Sequence, residues 1–194
     1  MNHEDKIYSF AFKGLLTTTS LDNTGLLSYS YLSPSIDEEI AERLSLELLD
    51  DDLVKKARSM ATVYIAIAAF ENSVRSFIKK ILLESLGENW WSKGATAPVI
   101  KKVDTRMEDE SKTRWHTPRG QDGIYYTDLS DLIPIIRKNW PLFEAYIVSI
   151  EWAKNIFDTL ELSRNVIMHS GELEKTDIER IGTSMRDWIR QVGI

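Results

Sequence analysis

A chain of 194 residues, 43% of them hydrophobic, suits one domain with its own core, or one domain with an appendage. It has no cysteine, which excludes disulfides, thiolate catalysis and cysteine zinc sites, and its three histidines (His3, His116 and His169) are too few and too scattered to expect a metal site. The net charge of −6 argues against a tight, non-specific nucleic-acid binder. No apolar run approaches the ~18 residues of a membrane span, and the first residues lack a secretory pattern, so a reducing cytoplasm is the expected setting.

Residues 1–33 are rich in Ser, Thr, Leu and Tyr. Residues 7–12 and 26–32 alternate weakly, which fits a hairpin, an arm or an irregular lead-in. Pro34 and Ser35 precede the acids of Ile36-Asp37-Glu38-Glu39, a helix start expected to run until Asp50-Asp51-Asp52. A long helix is predicted over 53–86. Its seam is Met60, Val63, Ile67, Phe70, Val74, Phe77 and Ile81, alternating steps of 3 and 4, with Gly87 as terminator.

Residues 88–126 are too long for an ordinary loop, and segments of that kind are usually functional. They hold Trp90, Trp91, Trp115 and a helix expected over 97–111. From Lys93 to Arg119 seven basic residues face four acids, a net +3 in an acidic protein. Lys101, Lys102, Arg114, Trp115 and Arg119 are therefore candidates to hold single-stranded RNA by charge and stacking. The competing reading is tryptophans that pin a loop and lysines that are merely solvated.

Thr127-Asp128 should cap a short helix ending at Trp140, with Pro141 as the first residue of the next helix. One or two helices then cover 142–169, and Gly171 lies just past their end. Thr176 should cap a last helix with the seam Ile178, Ile181, Met185, Trp188 and Val192. No internal repeat or low-complexity tract interrupts this order. The expected fold class is all-α, a helical bundle, with residues 1–54 as an N-terminal appendage of unknown role and 55–194 as the domain proper.

The stretch Arg164-Asn165-Val166-Ile167-Met168-His169 stands out. A seam of Phe143, Tyr146, Ile150, Ala153, Phe157 and Leu160 continues to Ile167, and Arg164 occupies a position where the pattern asks for an apolar residue. A charge on a packed seam is costly unless it is paired or used. On a helix, Asn165 lies about 100° round from Arg164 and His169 about 40° further, so the guanidinium, amide and imidazole can border one patch. His169 also falls in the last turn, where the helix dipole favours an imidazolium; beside an arginine this suits a phosphate or phosphorane. The bland alternatives are an Arg164 salt-bridged to Glu161 or Glu71 for structure alone, and a His169 that merely answers the dipole. Glu71 and Arg75, four apart, read in isolation as a surface ion pair.

The spacing resembles the R-x4-6-H motif of the HEPN superfamily, which commonly carries a polar residue directly after the arginine, as Asn165 does here. Glu71-Asn72-Ser73-Val74-Arg75 is similar to the E-x3-K/R element of an earlier HEPN helix. Glu88-Asn89-Trp90-Trp91, Tyr125-Tyr126-Thr127-Asp128-Leu129 and Ile136-Arg137-Lys138-Asn139-Trp140 resemble one branch in particular. That branch is the C-terminal domain of a eukaryotic nuclear RNA endonuclease, shared with prokaryotic defence proteins. The resemblance covers roughly residues 55–194.

The resemblance implies a metal-independent RNA endonuclease without cofactors, working as a homodimer, in the role of a toxin or antiviral effector with an antitoxin or sensor as a further partner. Arg164, Asn165 and His169 would be catalytic, with Glu71 and Arg75 supporting them. Cleavage by the RNA's own 2′-hydroxyl needs a base, an acid and a stabiliser of phosphorane charge, and a dimer would supply a second His169. Two rivals remain. One is a non-catalytic HEPN module that binds RNA or nucleotide. The other is a helical adaptor in which Arg164 serves only a dimer seam.

Overall fold

The computed structural model describes residues 34–113 and 115–193, and among these it is helical with no strand. The expected hairpin or arm at residues 1–33 lies outside them, as does Arg114. The backbone divides into two units, Met1–Val54 and Lys55–Ile194.

In the first unit, helix α1 covers Pro34–Arg43 and is followed by a 3-10 turn, Leu46–Leu48. The helix ends earlier than its acidic boundary suggested, because Ser45 turns into the left-handed region at φ 52°. The acids instead begin the next element. Asp50 Oδ1 accepts from the backbone N–H of Asp52 (3.0 Å) and of Leu53 (3.2 Å), as an N-cap does.

Helix α2 spans Asp51–Leu86, and Gly87 closes it at φ 69°. Its predicted seam is its buried face: Met60, Val63, Ile67, Phe70, Val74 and Ile81 are buried and Phe77 is half-buried. After a 3-10 turn come α3 (Trp90–Gly94) and α4 (Ala97–Ser111), the latter with the bounds expected from sequence. A second 3-10 turn, Gly123–Tyr126, leads into α5 (Leu129–Lys138). Asp128 and Asp131 form a reciprocal capping box at the start of α5. Helix α6 (Trp140–Phe143) carries Pro141 in its first turn.

Helix α7 begins only at Ile150 and runs to Met168, with Ser149 Oγ accepting from Trp152 N–H at 3.0 Å. The predicted seam therefore joins two pieces. Phe143 belongs to α6 and Tyr146 is an exposed turn residue, while Ala153, Phe157 and Leu160 form the buried face of α7. Helix α8 spans Lys175–Val192, with Glu174 rather than Thr176 at its N-cap. Helix α7 packs between α5 and α8.

The core centres on Trp188. Its indole stacks on Trp152 (centroids 5.6 Å apart, planes at 7°) and meets Phe70, Phe77 and Phe157. Aromatic contacts of this kind add about 0.5–1.5 kcal/mol each beyond the area they bury. Together they fix α2, α7 and α8 around one point and so set where Arg164 lies relative to α2.

Candidate functional site

A second stripe on α2 runs beside the apolar seam: Tyr64, Ala68, Glu71, Asn72 and Arg75. It forms one wall of an open pocket of about 440 Å³. The segment leading into α5 adds Arg119, Tyr125, Thr127 and Asp128, and α7 adds Arg164, Asn165 and Met168. Three arginines thus line the pocket against two carboxylates, which leaves it cationic within an acidic chain.

Arg164 is the pivot. Its Nη1 donates to Glu71 Oε1 and Oε2 at 3.1 and 3.3 Å, and its Nη2 donates to Asp128 Oδ1 at 3.4 Å. Glu161 is not a partner; it accepts from Ser130 N–H and Oγ–H instead. The two carboxylates answer the cost of placing a charge at a seam position. A guanidinium carries five N–H donors, and the Nε–H of Arg164 has no partner among the described residues. With its side chain 21% exposed, Arg164 still offers hydrogen-bonding capacity to the pocket. Burial disfavours its charge, but Glu71 and then Asp128 more than offset this and raise its pKa above the ordinary arginine value.

Glu71 and Arg75 are not a surface pair. Glu71 is buried, and Arg75 has a side chain 12% exposed. Arg75 Nη2 donates to Glu71 Oε1 at 2.6 Å and to the Thr127 carbonyl at 2.7 Å, and its Nη1 donates to Asn72 Oδ1 at 3.0 Å. The Arg75 Nε–H is buried without a partner among the described residues.

Asp128 carries two arginines. Its Oδ1 takes Arg164 and its Oδ2 takes Arg106. Burial pushes the carboxyl up, but the hydrogen bond from Arg106 and the charges of Arg106, Arg164 and Lys102 outweigh it, holding Asp128 below the usual carboxylate range. The three residues Tyr126, Thr127 and Asp128 each accept from an arginine of a different helix: Arg106 on the Tyr126 carbonyl, Arg75 on the Thr127 carbonyl, Arg164 on the Asp128 carboxylate.

Arg164 and Asn165 share the pocket; His169 does not line it. His169 is the C-cap of α7 and is exposed, and its side chain makes no hydrogen bond among the described residues. Its position is set by a Schellman ending. Ser170 stands in the left-handed region at φ 60° and donates its N–H to the Ile167 carbonyl at 2.9 Å, and Gly171 N–H reaches the Val166 carbonyl at 2.8 Å. On α7 the exposed side beside His169 carries Leu162 and Val166, while Met168 lines the pocket.

The basic segment separates into bound and free members. Lys102 Nζ donates to Asp131 at 2.7 Å, and Arg119 pairs with Glu110 at 3.5 Å while its guanidinium lies over the Tyr126 ring. The Tyr126 hydroxyl donates to Glu110, and this hydrogen bond, the largest influence, lowers the Glu110 pKa. The Lys101 side chain is exposed and unpaired among the described residues. Trp90 is buried and Trp91 half-buried, so they pin the connection to the bundle; Trp115 is 84% exposed.

Glu71 and Arg75 line the pocket as the resemblance implied, whereas Asp128 and the remaining members of the α2 stripe, Tyr64, Ala68 and Asn72, are pocket residues that sequence reasoning passes over. The stripe is visible, since Tyr64, Ala68, Glu71 and Arg75 follow steps of 4, 3 and 4. Asp128 is visible as a helix cap and as a member of the Tyr125-Tyr126-Thr127-Asp128-Leu129 resemblance, with no site role attached.

The family model described as Swt1-like HEPN matches residues 66–193. No curated protein and no solved structure matches the chain.

Proposed function

Because this chain belongs to the Swt1-like HEPN family, whose domains cleave or bind RNA, we propose that it is a metal-independent RNA endonuclease acting as a dimer. In this reading the 2′-hydroxyl oxygen of RNA bonds to the adjacent phosphorus while the bond to the 5′-oxygen breaks. The 2′ proton goes to a base and the leaving oxygen receives a proton from an acid, giving a 2′,3′-cyclic phosphate and a 5′-hydroxyl. Arg164 neutralises the phosphorane, Asn165 orients the 2′-hydroxyl or the imidazole, and His169 with a second copy's His169 exchanges the protons. Arg75 and Arg119 bind neighbouring phosphates. Lys101 and Trp115 extend the path for single-stranded RNA, Trp115 by stacking. A toxin-like or defensive role restrained by a partner protein fits the branch of the family.

The observation that carries this reading is Arg164 in an open cationic pocket, fixed by two carboxylates and retaining a donor for a ligand. Removing a preorganised donor of this type costs about 100- to 1,000-fold in rate. Purified protein, Arg164→Ala and His169→Ala are incubated with total RNA in excess EDTA, and the 3′ ends are analysed. Cleavage to cyclic phosphate by the wild type, lost in both variants, is expected. Loss of wild-type cleavage on EDTA addition would overturn the mechanism. Restored activity on mixing the two variants tests the shared site.

One observation favours a second reading, a HEPN module that binds RNA or nucleotide without cutting it: His169 is outside the pocket lining. Tight RNA binding in the same experiment, with intact RNA in every lane, supports that module.

A further inference from the structure

The strongest unassigned feature of the pocket is Asp128. It is the first capping residue of α5, and its carboxylate is fixed from two sides before it meets Arg164. In the capping box it accepts the Asp131 backbone N–H while Asp131 Oδ2 accepts the Asp128 backbone N–H at 3.0 Å, and Arg106 holds Oδ2. Asp131 is itself clamped by Lys102 (2.7 Å) and by Arg106 (3.0 Å). Oδ1 of Asp128 then meets Arg164 Nη2, while Glu71 holds Nη1.

Two separated anchors do what one cannot. A single carboxylate on Nη1 leaves the guanidinium free to swing about its bonds to Cδ and Nε. A second on Nη2 fixes its plane. Glu71 reaches Arg164 from α2 and Asp128 from the start of α5, so the plane is referenced to two elements. A planar fork is useful to a phosphorane only when its donors point at the developing charge.

We propose that Asp128 is a positioning residue that acts through Arg164, orienting its guanidinium toward phosphate in the pocket. The role in turnover rests on the ribonuclease reading above; the orienting of Arg164 does not.

Asp128→Asn is the discriminating variant, because Asn is as good an N-cap as Asp and keeps the shape. It removes one negative charge next to Arg164, which by itself strengthens attraction for phosphate. A positioning role therefore predicts a split. The kcat for RNA falls about 10- to 100-fold, the scale of a misaligned reacting group, while KM stays level or drops. A merely structural role lowers the folded fraction and leaves kcat per folded molecule unchanged, which would overturn the proposal.

The second readout needs no turnover. In the intact protein labelled with 15N-arginine, restricted rotation should give Arg164 resolved Nη resonances, assigned by their loss in Arg164→Lys. These should collapse to an exchange average in Asp128→Asn. Unchanged Arg164 resonances in Asp128→Asn would sink the proposal whatever the activity does. If the wild type leaves RNA intact, the ribonuclease reading fails and the resonances alone decide whether Asp128 orients Arg164.

Discussion

Arg164 Nη1 lies 3.1 and 3.3 Å from the two carboxylate oxygens of Glu71, 93 residues earlier in the chain. Glu71 also holds Arg75, so one buried carboxylate stands between two arginines. Glu71→Gln keeps the volume and removes the charge that separates them. Taking one partner from a buried ion pair costs about 3–5 kcal/mol. Asp128 still serves Arg164 and the Thr127 carbonyl still serves Arg75, so the expected loss is at the lower end, about 3 kcal/mol. Urea denaturation checks it, and a loss below about 1 kcal/mol, the scale of exposed pairs, would assign this pair to that weaker class.

The depressed pKa of Asp128 makes stability depend on acid. Its folded value is below that of the unfolded chain, about 3.9, so its contribution is complete above that pH and is lost as pH falls through the folded value. Wild type should therefore lose stability on acidification below about pH 4 more steeply than Asp128→Asn. Denaturation midpoints at stepped pH values measure the difference, and parallel curves would contradict it.

The end of α7 predicts two neighbouring substitutions of opposite sign. Ser170 occupies a left-handed position that glycine adopts without penalty, so Ser170→Gly should stabilise by about 0.5–1 kcal/mol. Gly171 has an ordinary φ but no room. A Cβ there would stand 2.7 Å from Val166 Cγ1 and 2.9 Å from the Val166 carbonyl oxygen. Gly171→Ala should destabilise by about 1–3 kcal/mol. Thermal melts of the two variants would reject this account of the helix end if the shifts share a sign.

Trp188 separates volume from polarity in the core. It is fully buried, and its indole N–H has no partner among the described residues. Trp188→Ala should cost about 3–5 kcal/mol. Trp188→Phe also leaves space, but it removes a buried donor that is unsatisfied, itself a cost of about 1–3 kcal/mol, so its loss should be about 1–2 kcal/mol. Equal losses in urea titrations would show that the orphaned N–H carries no cost.

The α2 seam is legible in the sequence because helical period and burial agree: Met60 through Ile81 repeat by 3 and 4 and pack inward. Arg164 is legible as an exception to such a seam, and the structure supplies its reason in Glu71 and Asp128. The acids at 50–52 mislead because an acidic run suits a helix start as well as a solvated end, and only the Asp50 cap bonds decide. Asp128 looks like any capping residue, because its partners Arg106 and Arg164 are 22 and 36 residues away and no local pattern links them. Trp90 and Trp115 are indistinguishable as letters; burial of one and exposure of the other depends on how the connection lies on the bundle.

The three consecutive acceptors at Tyr126, Thr127 and Asp128 have a kinetic meaning. Their arginines arrive from 20, 52 and 36 residues away, on helices that must dock before any of the three bonds can close. Closing three such separated contacts at once is expected to follow the transition state. Weakening them should quicken unfolding and leave refolding nearly untouched, so in stopped-flow chevrons Asp128→Asn should move the unfolding arm alone. On that outcome the cluster that holds Arg164 is a latch closed last, and the lifetime of the native state depends on it more than the speed of reaching that state does.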